Sequence, residues 1–64
     1  MNTIAETIAQ TAARIAPGQT FIAHVMSGSH QAAIQIVEIF RRNRITGFTV
    51  TSSDIRNTIT IERG

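Results

Sequence analysis

Residues 48–62 read FTVTSSDIRNTITIE, and the alternation within that stretch decides the fold. Phe48, Val50, Ile59 and Ile61 fall on one side of two extended segments, while Thr49, Thr51, Thr58 and Thr60 fall on the other. A period of two in β-branched and apolar residues predicts strands from Phe48 to Ser52 and from Thr58 to Glu62, with one face buried and one polar. The intervening Ser53-Asp54-Ile55-Arg56-Asn57 is rich in residues that bond their own backbone or tolerate left-handed conformations, so the two strands form a hairpin.

Upstream of the hairpin, His30 to Arg42 has the spacing of a helix. Ala33, Ile34, Ile36, Val37 and Phe40 form a broad apolar face that Ile39 widens further, leaving Gln31, Gln35, Glu38 and Arg42 for the remainder. That face is wider than an ordinary surface helix needs. Ser29, after the loop residues Ser27 and Gly28, is the expected N-cap, and the helix should end near Asn43. Gln19 to Met26 reads as a strand with Phe21, Ala23 and Val25 on one side and Ile22, His24 and Met26 on the other. Both sides are largely apolar, so we expect this strand to be covered on both faces or paired near the sheet centre. The first segment is a helix that starts with a capping box, Thr3 with Glu6. Ile4, Ile8, Ala12 and Ile15 make its apolar stripe, and Pro17-Gly18 should stop it.

The expected fold is therefore a single α+β domain over residues 1–64, ordered helix-strand-helix-strand-strand. Both helices should pack on one face of a three-stranded sheet, because a strand–helix–strand passage favours a right-handed crossover. This order resembles the N-terminal half of ribosomal protein S8 over nearly the whole chain, a likeness of element order that assigns no residue a role.

Sixty-four residues are few for a self-sufficient core, and domains this small usually add disulfides, a metal or self-association. There is no cysteine, and His24 and His30 are the only histidines, so we expect no structural metal or cofactor and a homodimer instead. The chain opens on Met1 without a charged segment leading into an apolar one, from which we expect a complete cytoplasmic product. From Ile15 to Val37 there is no Asp, Glu, Lys or Arg, yet Pro17, Gly18, Gly28 and several glutamines interrupt any membrane span. Such a stretch must be covered by the domain's own core or by a partner.

The formal net charge is +2, and every basic residue is an arginine. Arg14 stands against Glu6 in the first half, so the net charge falls on the second half, with Arg41, Arg42 and Arg44 clustered, Arg56 in the hairpin turn and Arg63 near the terminus. Three arginines within four residues suit a phosphate backbone, but cations at a helix C-terminus also complement its dipole. Phe21, Phe40 and Phe48 all fall at core positions and leave no stacking platform for bases. Ser52-Ser53-Asp54 has the residue types of a nucleophile and its helper, yet these are ordinary turn formers. Ser27-Gly28-Ser29 before a helix lacks the lysine and spacing of a phosphate loop.

The expected function is accordingly non-enzymatic: a small regulator that self-associates and occludes a surface of a larger protein partner, with Ile34, Ile36 and Ile39 as helix anchors. A phage or mobile-element accessory protein that antagonises a repressor or a defence complex fits this description. The alternative is nucleic-acid binding through Arg41, Arg42, Arg44 and Arg56. Neither reading involves a membrane or a small-molecule substrate.

Overall fold

The structure, a computed structural model, describes residues 3–64. Its elements are α1 (Ile4–Ala12), β1 (Thr20–His24), α2 (Ser29–Arg42), β2 (Phe48–Ser53) and β3 (Thr58–Arg63). The order is the expected one, and the class is α+β. β3 lies between β1 and β2 and pairs antiparallel with both. The chain thus leaves β1, crosses over through α2 to β2 at the far edge, and returns by the hairpin into the gap.

The hairpin's alternation survives intact. Ile59 and Ile61 of the central strand are fully buried, and Val50 and Phe21 flank Ile61 in one cross-strand row. Together with Ala23 they meet Ala33, Ile36 and Phe40 of α2 and the small residues of α1 in one core cluster. Phe40 and Phe48 stack with ring centroids 4.9 Å apart. Thr58 and Thr60 of β3 and Thr49 and Thr51 of β2 occupy the opposite, open face.

Several local expectations need correction. β1 is shorter than expected and is an edge strand, because β3 takes the central position. Its outward residues Ile22 and His24 are exposed rather than covered. In α1 the buried stripe is Ala5, Ile8, Ala9 and Ala12, whereas Ile4 is exposed. α1 packs chiefly on α2, and alanines let two helix axes approach closely. The capping box is present in its first half, the Thr3 hydroxyl accepting from the Glu6 N–H at 3.1 Å.

α1 also ends before Pro17-Gly18. Arg14 and Ile15 donate to Thr11 and Ala12 carbonyls, which tightens the last turn, and the Arg63 Nη1 donates to the Ile15 carbonyl at 2.6 Å. Gly18 supplies the reversal that follows, with φ 83. At α2 the cap position belongs to Gly28, in the left-handed region at φ 69, and Ser29 is the first helical residue. Its hydroxyl instead donates to the Ser53 carbonyl at 3.2 Å and to Asp54 Oδ1 at 2.9 Å, pinning the start of α2 to the hairpin turn. Among the described residues no helix is long and apolar enough to cross a membrane.

Candidate functional site

The apolar face of α2 is wider than the core beneath it, and the structure divides its residues into three groups. Ile36 is fully buried and, with Ala33 and Phe40, belongs to the protein's own core. That corrects its assignment as an interface anchor, since no partner can reach it while the domain is folded. Ile34 and Val37 emerge on the β2 side, 51% and 39% exposed. Ile39 emerges half-buried on the α1 side.

Each emergent side lines a groove. Between the C-terminal parts of α1 and α2 lies one of about 500 Å³, floored by Ala9, Ala13, Ile39, Phe40 and Ile45. Glu6, Gln10, Arg14, Arg42 and Asn43 form its rim. Along the β2 edge lies a second of about 490 Å³, formed by Ile34 and Val37 with Val50 and Thr51, and with His30 and Glu38 at its ends. A third, of about 400 Å³, runs past Ile4, Val25 and the almost wholly exposed Met26. The uncharged stretch from Ile15 to Val37 supplies Ile22, Met26, Ile34 and Val37, four of the six exposed large apolar residues among the described residues. The domain's own core therefore covers the stretch only in part, through Ala23, Ala33 and Ile36.

The arginines divide as well. Arg41 and Arg42 lie in the last turn of α2, where positive charge complements the helix dipole. Arg44 lies just beyond, left-handed at φ 58. Arg56 lies in the turn that Ser29 ties to the opposite end of this fourteen-residue helix, roughly 20 Å away. Arg63 is engaged within the fold, bonded to Ile15 and 5.7 Å from the Phe48 ring centroid. The structure adds Arg14, which the sequence had set against Glu6, and which shares the α1–α2 groove with Arg42. Proximity between residues on two helices is not a feature that spacing along one of them can reveal.

The remaining candidates have local roles. Ser53 Oγ accepts from the Arg56 N–H at 3.4 Å, and Asp54 accepts from Ser29, so both shape the turn. His24 lies exposed on the open sheet face, and His30 is exposed at the start of α2. Among the described residues no group of three or more His, Cys, Asp or Glu could hold a metal ion. Comparison with protein-family models, curated proteins and solved structures finds no match for this chain.

Proposed function

We propose that this chain is a binding protein rather than an enzyme, and that it occludes a larger protein by seating one of its segments in the α1–α2 groove. The observation that carries the reading is Ile39, half-buried in the floor of an open apolar groove and flanked by Arg14 and Arg42. A floor of Ala9, Ala13, Ile39, Phe40 and Ile45 gains from covering by apolar side chains, at about 25 cal/mol per Å² removed from water. Two guanidiniums against one carboxylate on the rim favour a segment with acidic flanks. The groove has the dimensions of a site for a few side chains, and its openness suits a peptide segment better than an enclosed reaction.

Truncation of Ile39 to Ala separates binding from packing. A residue serving only the core would lower stability by about 2–5 kcal/mol in denaturant titration. The binding role instead predicts a folded chain of nearly unchanged stability that no longer retains a stoichiometric partner retained by the unaltered chain from nuclease-treated lysate. Retention of that partner by the folded variant sinks the reading.

A second reading is favoured by one observation, that Arg14 and Arg42 line the same groove, which adds a fourth cation to the end of the molecule that carries Arg41 and Arg44. On that reading the same end of the molecule grips a nucleic-acid backbone.

A further inference from the structure

We propose that two copies of this chain associate edge to edge through β2, extending the three-stranded sheet across a two-fold axis into one of six strands. The sheet order leaves one side of the β2 backbone without a strand partner among the described residues. Natural edges are usually blunted by charge, proline or a bulge. Phe48–Ser53 contains neither charge nor proline, and its register against β3 runs without interruption from Phe48 opposite Arg63 to Ser53 opposite Thr58.

The flank of this edge selects a second copy as its occupant. α2 packs on both β2 and β3, and an axis taken over the gap between them stands about 2.4 Å inside β2 for strands about 4.8 Å apart. Pairing β2 with its symmetry mate then sets the two α2 axes about 10 Å apart, the spacing at which helices pack. The residues in that seam are Ile34 and Val37, the two large apolar residues that α2 leaves exposed. Area points the same way. The chain exposes 4659 Å², whereas a compact monomer of 7.0 kDa should expose about 4,000 Å². That excess belongs to the whole surface, to which the exposed Ile34 and Val37 contribute, and is of the order of the ~800 Å² that each partner loses in a standard dimer. Five residues along a helix turn it by about 140°, so Ile34 and Ile39 lie on opposite flanks of α2. The dimer therefore leaves the α1–α2 groove open and does not rest on the groove's proposed role.

Sedimentation equilibrium of the full chain tests the proposal. The expected mass rises with concentration from 7.0 kDa toward twice that value. Joint substitution Ile34→Glu and Val37→Glu should weaken association at least ~30-fold, with an unaltered circular dichroism spectrum because both positions are exposed. Ile22→Glu, on the open sheet face, should leave association unchanged. Amide exchange of the unaltered chain provides a check that needs no variant: β2 amides should slow as concentration rises, while β1 amides should not. A monomer at every concentration up to the millimolar range overturns the proposal. So does a dimer indifferent to the paired substitution, or concentration-dependent protection that falls on β1.

Discussion

Arg44 occupies the position after α2 where helices most often place glycine. Its φ is 58. The Ile45 N–H donates to the Phe40 carbonyl at 2.8 Å and the Arg44 N–H to the Arg41 carbonyl at 3.1 Å, the paired bonds of a Schellman ending. A side chain in the left-handed region costs about 1–2 kcal/mol, and glycine returns about 0.4–1 kcal/mol of that as unfolded-state entropy. Arg44→Gly should therefore stabilise the domain by about 0.5–1 kcal/mol, raising Tm by ~4 °C. A lower urea midpoint would mean that the guanidinium contributes more to the fold than its backbone strain costs. At this scale turn chemistry was legible, Ser53-Asp54 through Asn57 forming the expected reversal. The partner of the Ser29 hydroxyl was not, because Asp54 is twenty-five positions away.

Ile34 and Ile36 lie two positions apart on α2, about 200° apart around its axis. Only Ile36 faces the sheet. Ile36→Ala should cost about 2–5 kcal/mol in denaturant titration. Ile34→Ala, measured on dilute protein, should stay within about 0.5 kcal/mol. Equal losses at the two positions would contradict the burial described above. The width of the apolar face was readable from spacing alone, but its division between core and surface was not. That division depends on where β2 and α1 press against the helix. α1 teaches the same point: isoleucine spacing suggested one stripe, and alanine-mediated contact with α2 selected another that keeps Ile8 and Ala12 but is rotated by roughly 55°.

Over the whole molecule, the charge is confined to few places. A net charge of +2 on so small a chain steers anionic partners weakly, so its geometry matters more than its size. Nucleic-acid binding through Arg14, Arg41, Arg42 and Arg44 would give a log–log salt slope near −3.6, about −0.9 per phosphate neutralised. Replacing Arg41 and Arg42 with Gln should reduce that slope by about two. Participation of Arg56 would steepen it and require a nucleic acid that spans the length of α2. A slope near zero on duplex and single-stranded probes alike removes the second reading and leaves the groove.

Element type, element order and the polarity of each hairpin face followed from the sequence by itself, because period two and period 3.6 are local properties of the chain. The absence of cysteine likewise excluded disulfides. Tertiary structure alone decided that β3, not β1, takes the sheet centre, and hence that β1 and β2 are edges. It alone placed Ile36 inside and Ile34 outside, sent Arg56 to the far end of α2 from Arg41, and set Arg14 and Arg42 on one groove. Each of these depends on contacts between segments distant along the chain, whose closure is governed by the packing of the whole rather than by any residue's neighbours.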